Sequence, residues 1–305
     1  MSTFPVHAVY GEPPHQLVEI APDSVQCSPL MIGSTQMKNF AEGSVASFVV
    51  HAPPGTLERR YVLARALRAL AVGGKLTALA GKDKGGSRVA NELKAFGCAT
   101  VDNPRAHHRI ISTTRPAILT GIDEATEAGG QQLHRSHGLF THPGMFSWDR
   151  LDPGSALLLE HLPTFSGSGA DLGCGIGVLS AAVLKSEKVT AITLVDIDRR
   201  AIACAERNIP DARTKFFWAN VCSSNLPVTD LDFVVMNPPF HASGIEDKNL
   251  GQIFITRAAA MLKKGGQLWL TANRHLPYES YLKQYFYERI LVAETDLYKI
   301  YKATK

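Results

Sequence analysis

The hydrophobic positions in the first third of the chain recur with two different periods. A short apolar run at 47–52 ends in Pro53 and Pro54, and the apolar residues of 56–72 then recur every three or four positions. Residues 75–81 form a second short apolar run. Short apolar runs bounded by proline and glycine predict strands, whereas a spacing of three and four predicts a helix with one apolar face. We therefore expect a strand, a proline turn, a helix and a second strand.

The same alternation continues to the end of the chain. Apolar runs that predict strands lie at 170–172, 190–196, 215–219, 231–236 and 267–272. Helical spacing predicts helices at 153–162, 176–185, 201–208 and 278–286, before a closing hairpin at 290–301. Strands that alternate with helices predict an α/β fold, in which helices cover both faces of a mostly parallel sheet.

Two segments of the first third recur in the same order in the second half. Residues 233–239 match residues 48–54 at an offset of 185, and residues 257–262 match residues 65–70 at an offset of 192. A Gly-Gly pair follows the second segment in both copies. The seven extra residues of the later copy fall after its double proline. We interpret this pattern as an internal duplication, with an added loop in the second copy.

The first copy lacks the polar and aromatic residues of the second. Ala52 stands where the second copy has Asn237, and Gly55 stands where it has Phe240. Residues 119–132 are polar and contain three glycines, a composition that favours a linker. We therefore expect a degenerate N-terminal copy at 1–118, a linker, and a complete domain at 133–305.

A glycine-rich turn follows the strand that ends near residue 172. Asp171, Gly173, Gly175 and Gly177 give the pattern D-x-G-x-G-x-G, which leads into a predicted helix. Glycine allows a tight turn and a close approach to a ligand. The related site of nicotinamide dehydrogenases has the spacing G-x-G-x-x-G and holds a pyrophosphate, which a carboxylate would repel. An acid at this place instead attracts an ammonium group, and this favours S-adenosylmethionine (SAM).

Polar residues follow three more predicted strands. Asp196 comes about 20 residues after the glycines, where an acid can accept hydrogen bonds from ribose hydroxyls. Asp198 lies two positions further on and is an alternative for the same role. Asn220 and Asn237 also follow strands. Because ligands of parallel α/β sheets bind beyond the carboxyl ends of the strands, one cleft can collect these side chains.

The sequence Asn237-Pro238-Pro239-Phe240 is the more specific motif. Two prolines restrict the backbone and remove two N–H donors. The Asn237 side-chain oxygen and the Pro238 carbonyl can then both accept hydrogen bonds from one exocyclic amine. Phe240 supplies a ring on which a planar base can stack. We therefore expect Asn237, Pro238 and Phe240 to carry the chemistry.

Five stretches together resemble class I SAM-dependent amino-methyltransferases. They are the glycine turn, Asp196, the N-P-P-F motif, P-G-M-F-S at 143–147 and L-D-P-G-S at 151–155. Within that group the chain is similar to the family of ribosomal RNA small subunit guanine-N2 methyltransferases. The resemblance is strong over residues 131–305 and weaker over the N-terminal third.

The resemblance implies two tandem Rossmann-like SAM-methyltransferase domains, with a degenerate N-terminal copy. It implies SAM as the cofactor and ribosomal RNA or the small ribosomal subunit as the partner. Phe146 and Asp152 belong to stretches that resemble the family's lid on the cofactor side, and Asn220 is expected beside the adenine. The expected reaction is methylation of the N2 amine of a guanine.

Alternatives remain at this point. Asn-Pro-Pro alone does not distinguish the amines of adenine, guanine and glutamine, although relatives acting on the other two commonly carry Tyr where this chain has Phe240. A guanine-N2 methyltransferase for large-subunit ribosomal RNA or transfer RNA is one alternative. A non-catalytic RNA-binding or assembly protein with the same fold is another. A nicotinamide dehydrogenase would leave the N-P-P-F motif unexplained.

Composition and charge exclude several classes of protein. The 305 residues are 45% hydrophobic and 20% charged, and no run approaches the roughly 18 apolar residues of a membrane span. The first ten residues lack the features of a secretory signal. Five scattered cysteines without a C-x-x-C pair predict reduced thiols, and hence a cytoplasmic protein. The net charge of +4 is compatible with RNA binding, and the oligomeric state is left open.

Three histidines suggest a metal site that the spacing does not support. His134, His137 and His142 lie close together in the sequence. The first two are three positions apart on a predicted strand, so their side chains point to opposite faces. No cysteine or acidic pair completes a ligand set. We therefore expect no bound metal.

Overall fold

The chain forms two units, in a computed structural model that describes residues 6–134, 138–222, 226–239, 241–242, 245–246 and 248–305. The first unit comprises Met1–Gln132 and His142–Gly144, and the second comprises Leu133–Thr141 and Met145–Lys305. In the described part of the chain, no helix is both long enough and apolar enough to span a membrane.

The described part of the first unit contains a six-stranded sheet and three α-helices. In chain order its elements are β1 (Val6–Tyr10), β2 (Val25–Gln26), β3 (Val45–His51), α1 (Thr56–Ala69), β4 (Leu70–Gly81), α2 (Gly86–Ala95), β5 (Thr100–Arg105), β6 (His108–Thr114) and α3 (Ile122–Ala128). The strand order is β2-β1-β3-β4-β6-β5. The first four strands are parallel, and β6 and β5 close the sheet as an antiparallel hairpin.

The second unit contains a seven-stranded sheet. Its elements are β7 (Gln132–Leu133), β8 (Phe140–Thr141), α4 (Pro153–His161), β9 (Gly167–Leu172), α5 (Val178–Val183), β10 (Val189–Asp196), α6 (Arg199–Asn208), β11 (Thr214–Trp218), β12 (Leu231–Met236), β13 (His241–Ala242), β14 (Ile245–Glu246), α7 (Lys248–Met261), β15 (Leu262–Asn273), α8 (Glu279–Tyr285), β16 (Glu288–Glu294) and β17 (Tyr298–Thr304). The main strand order is β11-β10-β9-β12-β15-β17-β16. The pairs β7–β8 and β13–β14 form two small separate sheets.

The core of the second unit lies on both faces of its sheet. On β12, Val234 and Met236 pack with α7 and α8, whereas Phe233 and Val235 pack with α4, α5 and α6. Alternate residues of a strand point to opposite faces, so a strand buried on both faces is almost continuously apolar. This explains why the strand prediction at 231–236 coincides with β12.

An aromatic residue opposite a glycine fits β9 against β12. Phe233 pairs with Gly169, and a Cβ atom on Gly169 would lie 2.1 Å from the Phe233 ring. The ring also stacks on Phe165, with the two ring centroids 4.4 Å apart. A shift of one residue would place a larger side chain opposite the ring and would move every side chain to the other face. The pair therefore helps to set the register of these two strands.

The two units share one topology. In each, parallel strands in matching order lead to a closing antiparallel hairpin, and the second unit adds β11 at the far edge. The strand β3 with its proline turn corresponds in this order to β12 with the Asn-Pro-Pro turn. The α/β fold expected from the sequence is confirmed, and the shared strand order supports the duplication.

Two local predictions differ from the structure. The helix predicted over 56–72 ends at Ala69, and the Gly-Gly pair lies inside β4. A Cβ on Gly74 would lie 2.8 Å from the carbonyl oxygen of Ala71 in the same strand and 3.0 Å from that of Ala46 in β3, so the backbone here leaves no room for a side chain. The linker predicted at 119–132 instead contains α3, which packs on α1. The buried face of α3 has only Ile122 and Ala125, which are too few to show the helical spacing of apolar residues in the sequence.

A buried arginine closes the proline turn of the first unit. Arg59 on α1 is fully buried and makes a two-pronged ion pair with Glu92, with both N–O distances 2.7 Å. Its Nη1 also donates to the carbonyl oxygens of Pro53 at 3.2 Å and Pro54 at 2.7 Å. Gly85 leaves room for the group, since a Cβ there would lie 2.3 Å from Nη1. The turn carbonyls of this unit are thus already hydrogen-bonded.

We expect Arg59→Ala to lower the free energy of unfolding by about 3–5 kcal/mol, because removing one partner leaves a buried charge uncompensated. Urea unfolding followed by circular dichroism measures the loss. The matched control is Arg68→Ala on the same helix. The partner of Arg68 is Asp123, whose side chain is 90% exposed, so we expect only a small loss there. Equal losses in the two variants would contradict the role given to Arg59.

Candidate functional site

Three neighbouring strands of the second unit end at one edge of the sheet. In the parallel register, Leu172 of β9 lies opposite Val195 of β10 and opposite Met236 of β12. The loops that begin at Gly173, Asp196 and Asn237 therefore leave the sheet side by side. A Cβ on Gly173 would lie 3.9 Å from the backbone oxygen of Asn237. The glycine turn and the Asn-Pro-Pro turn are thus direct neighbours.

The glycine turn needs its glycines for their backbone conformation. Gly173, Gly175 and Gly177 have φ angles of 74°, 54° and 89°, a region that other residues rarely adopt. A Cβ on Gly177 would also lie 2.5 Å from Ile209, so this glycine allows close packing as well. A Cβ on Gly175 would meet no atom within 4 Å. The backbone at Gly175 therefore borders open space.

A cavity of about 170 Å³ lies beside this turn. Five of the residues predicted for the site line it: Phe146, Asp152, Gly173, Gly175 and Asn237. Phe146 is 66% exposed although it lines the cavity. The cavity thus joins the glycine turn, the Asn-Pro-Pro turn and the stretch before α4 in one place.

Two carboxyl groups lie behind the glycine turn. Asp171 is fully buried, and its Oδ2 accepts a hydrogen bond from the Ser180 hydroxyl at 2.7 Å, while its Oδ1 has no hydrogen-bond partner within the part of the chain that the structure describes. Burial raises the pKa of Asp171 to about 7. Asp196 accepts from the backbone N–H groups of Gly175 and Asp198, both at 2.8 Å, and burial raises its pKa to about 6. Both groups therefore titrate close to neutral pH.

Asp196 and the alternative Asp198 differ in their hydrogen-bond partners. The Asp198 carboxylate caps α6 by accepting from the Arg200 N–H at 2.9 Å. It also pairs with the Arg200 guanidinium at 2.8 Å. These bonds give Asp198 a complete structural role, whereas Asp196 is bonded directly to the glycine turn.

Asn220 and Pro238 are less closely associated with the cavity. Asn220 follows β11, and its Oδ1 accepts from the backbone N–H of Cys222 at 2.9 Å, as in an ordinary asparagine turn. Among the described residues that line the cavity, neither Asn220 nor Pro238 is present. Phe240 lies outside the described residues, so its predicted stacking role stays a prediction.

The Asn237 side chain is bonded to the first turn of α4. Its Nδ2 donates to Asp152 Oδ2 at 2.8 Å and to Ser155 Oγ at 2.9 Å. Asp152 Oδ2 also accepts from the backbone N–H of Ser155 at 2.7 Å and so caps α4. Sequence reasoning missed Ser155, because no pattern in the chain relates it to a residue 82 positions away.

A second asparagine anchors the wall of the cavity. Asn208 Oδ1 accepts from the backbone N–H of Phe140 at 2.7 Å, and its Nδ2 donates to the carbonyls of Phe140 and Ile176, both at 3.0 Å. One side chain thus connects the end of α6, strand β8 and the turn that precedes α5. Sequence reasoning identified Asn208 only as the end of a helix.

The histidine cluster provides no metal site in the described part of the chain. No group of three or more His, Cys, Asp or Glu side chains among the described residues could hold a metal ion. His137 lies outside those residues. The His134 ring packs edge-on against Trp148, with the ring centroids 6.4 Å apart.

The raised pKa of Asp171 predicts a specific pH dependence of stability. Because the folded-state pKa exceeds the ordinary value of 3.8, protonated Asp171 stabilises the fold below about pH 4, and this contribution is lost as the pH rises through about 7. Asparagine has nearly the same shape as aspartate but does not ionise, so Asp171→Asn removes the titration of this residue. We expect the variant to gain stability relative to the original chain between pH 5 and pH 8, by at most about 4 kcal/mol.

Urea unfolding followed by tryptophan fluorescence tests this, because all three tryptophans lie in the second unit. Asp296→Asn is the control, since that side chain is fully exposed and should change stability little at any pH. Stability curves for Asp171→Asn and the original chain that run parallel across this pH range would contradict the assignment.

Comparison with known proteins gives a consistent result. The family model of the methyltransferase small domain matches residues 136–302. The ribosomal RNA small subunit methyltransferase C of Shewanella loihica is 34% identical over 253 residues, which cover 80% of this chain and 73% of that protein. The protein of the same name from Shewanella pealeana is 32% identical over 267 residues, covering 84% and 76%.

A solved structure extends the likeness to both units. It is the 16S rRNA N2 guanine methyltransferase RsmC of T. thermophilus, in complex with AdoMet and guanosine. It is 26% identical, with a TM-score of 0.74, and the match covers 88% of this chain and 75% of that one. The family expected from the sequence motifs is confirmed. The chain belongs to the methyltransferase small domain family and, within it, to the ribosomal RNA small subunit methyltransferase C proteins.

Proposed function

We propose that this protein transfers a methyl group from SAM to the exocyclic N2 amine of a guanine in small-subunit ribosomal RNA. The observation that carries the proposal is the adjacency of the glycine turn and the Asn-Pro-Pro turn at the ends of β9 and β12. A donor held by one turn and an amine held by the other would then be neighbours. The names of the relatives support the choice of small-subunit RNA and of guanine.

The residues around the cavity fit SAM. The turn at Gly175 offers backbone next to open space, and one oxygen of the buried Asp171 behind it has no hydrogen-bond partner among the described residues. In this proposal, Asp171 and the glycines Gly173, Gly175 and Gly177 lie against the amino-acid end. When bound, SAM supplies an electrophilic methyl group on its sulfonium.

Further residues are assigned to the remaining parts of SAM. Asp196 would accept from the ribose hydroxyls, because a carboxylate offers about four lone-pair sites and the backbone N–H groups of Gly175 and Asp198 use two of them. Asn220 would lie beside the adenine, and Phe146 would cover the exposed side of the cofactor.

The Asn-Pro-Pro turn holds the amine in this proposal. Asn237 Oδ1 and the Pro238 carbonyl each accept a hydrogen bond from one N–H of the amine. These two bonds direct the nitrogen lone pair towards the methyl donor. No strong base is required before attack, because the nitrogen becomes acidic as the new bond forms. The amine then loses a proton to water. Alignment of two reactants can supply about 7–11 kcal/mol, which makes positioning the main contribution. The target base leaves its stack to reach the turn, where Phe240 would support it.

The same proposal implies a substrate and a cellular location for the reaction. The substrate is ribosomal RNA, either free or within the small subunit, and the expected location is the cytoplasm. Five scattered cysteines without a C-x-x-C pair, four of them buried, agree with a reducing compartment.

We expect Asn237→Ala to reduce methyl transfer at least 100-fold while SAM affinity changes less than twofold, because the oxygen that orients the amine is removed. Transfer of labelled methyl from SAM to small-subunit ribosomal RNA measures the first quantity, and calorimetry measures the second. Asn103→Ala, at an exposed position of β5, is the matched control. Undiminished transfer by Asn237→Ala would refute the role of this turn.

We expect Asp196→Ala to weaken SAM binding more than tenfold, because two ribose hydroxyls lose their acceptor. Asp198→Asn is the control, since asparagine also caps a helix and should keep SAM affinity within twofold. Calorimetry with SAM compares the two variants. The opposite ranking would assign the ribose to Asp198.

Mass mapping of modified nucleosides from a deletion strain tests the substrate. The proposal expects loss of one N2-methylguanosine from small-subunit RNA. Loss of the modification from large-subunit RNA or transfer RNA would show that one of those RNAs is the substrate instead. Absence of SAM binding in the purified protein would instead favour a non-catalytic role in assembly.

A further inference from the structure

The Asn237 side chain has a fixed direction that the Asn-Pro-Pro turn alone does not determine. An asparagine amide can rotate by half a turn and exchange the places of its oxygen and nitrogen. Here both N–H bonds of Nδ2 are engaged, one with Asp152 Oδ2 at 2.8 Å and one with Ser155 Oγ at 2.9 Å. Rotation would bring the amide oxygen against the Asp152 carboxylate, two acceptors without a proton between them. The observed direction is therefore strongly favoured.

We propose that Asp152 and Ser155 are positioning residues, which orient the Asn237 amide so that its oxygen is available to the substrate amine. This inference rests on the proposed function, since it concerns the same site. It changes the role expected for Asp152, from a contact with the cofactor to a hydrogen-bond partner of Asn237. Asp152 then acts through Asn237 and needs no contact with either reactant.

The first turn of α4 is built to hold this carboxylate still. Asp152 Oδ2 accepts the backbone N–H of Ser155 as well as the Asn237 amide, so one oxygen serves both bonds. A Cβ on Gly154 would lie 3.1 Å from that oxygen and 2.9 Å from the Tyr298 ring, so this position leaves little room for a larger residue. The helix itself packs against β15 and β17. The carboxylate therefore has little freedom to turn away.

The fixed amide has a consequence for specificity. With both Nδ2 hydrogens engaged, Asn237 offers the substrate only an acceptor. A group with two N–H donors fits this turn together with the Pro238 carbonyl. A base with a carbonyl oxygen at the same ring position places acceptor against acceptor and is rejected, because an unpaired buried polar group costs about 1–3 kcal/mol.

Two other roles of Asp152 give different results in one variant series. If Asp152 binds the cofactor through its charge, Asp152→Asn loses SAM affinity. If Asp152 only caps α4, Asp152→Ser is fully active, because serine is also a good cap. The positioning role predicts neither result. Asn at 152 still offers one oxygen that can accept both bonds, whereas the serine hydroxyl is one bond too short to reach Asn237.

The experiment compares Asp152→Asn, Asp152→Ser, Asp152→Ala and Ser155→Ala. The structural readout is the side-chain NH2 resonance of Asn237, assigned by its absence in Asn237→Ala. We expect faster proton exchange of this group in the Ser and Ala variants and nearly unchanged exchange in Asp152→Asn. Unchanged exchange in all four variants would overturn the proposal, whether or not the protein methylates RNA.

Kinetics and binding supply the second readout. We expect kcat for RNA methylation to fall more than tenfold in Asp152→Ser and Asp152→Ala, less in Ser155→Ala, and least in Asp152→Asn. SAM affinity by calorimetry should stay within twofold in all four. In an Asn237→Ala background, Asp152→Ser should cause no further loss. A loss of SAM affinity in Asp152→Asn, or an additive loss in the double variant, would overturn the proposal.

Discussion

The site depends on the parallel pairing of β9 with β12. Their register, with Leu172 opposite Met236, places the ends of the two strands at the same level of the sheet. The Phe233 ring occupies the space that Gly169 leaves free and so opposes a shift of this register. If the strands slipped by one residue, their side chains would exchange faces and the two turns would no longer start together. A packing contact in the middle of the sheet therefore governs the geometry at its edge.

The environment of the glycine turn illustrates a balance between burial and charge. Asp171 and Asp196 are held where ionisation is costly, and their pKa values of about 7 and about 6 reflect that cost. Part of it is offset by hydrogen bonds, from Ser180 to Asp171 and from backbone N–H groups to Asp196. A positively charged ligand would complement the negative charge of these two carboxyl groups. A positive charge held beside these carboxyls would lower their pKa values.

The sequence predicts the strands and the turns better than the contacts between them. Strand β12 has the predicted bounds, because a strand buried on both faces is apolar at almost every position. Helix α3 was missed, since only two of its residues face the core. The family and the α/β fold followed from the motifs and are confirmed. These successes share a cause, because local patterns and short motifs are readable without knowledge of packing.

The partners of Asn237 could not be predicted in the same way. Asp152 lies 85 positions earlier, and the two side chains meet only because α4 packs against strands β15 and β17. Asp152 was identified as a site residue by resemblance, but its contact requires the tertiary structure. Asn208 is a similar case, since its three hydrogen bonds reach a strand and a turn that are distant in the sequence.

The buried Arg59 makes the proline turn of the first unit unsuited to binding an amine. Pro53 and Pro54 occupy the places that Pro238 and Pro239 occupy in the second copy, and their carbonyls already receive hydrogen bonds from this guanidinium. An internal cation thus fills the space that an incoming amine would need. Replacing Ala52 by asparagine would not create an amine-binding turn while Arg59 remains. Removing Arg59 alone would leave the Glu92 carboxylate without its partner. Both residues of the pair would therefore have to be replaced together.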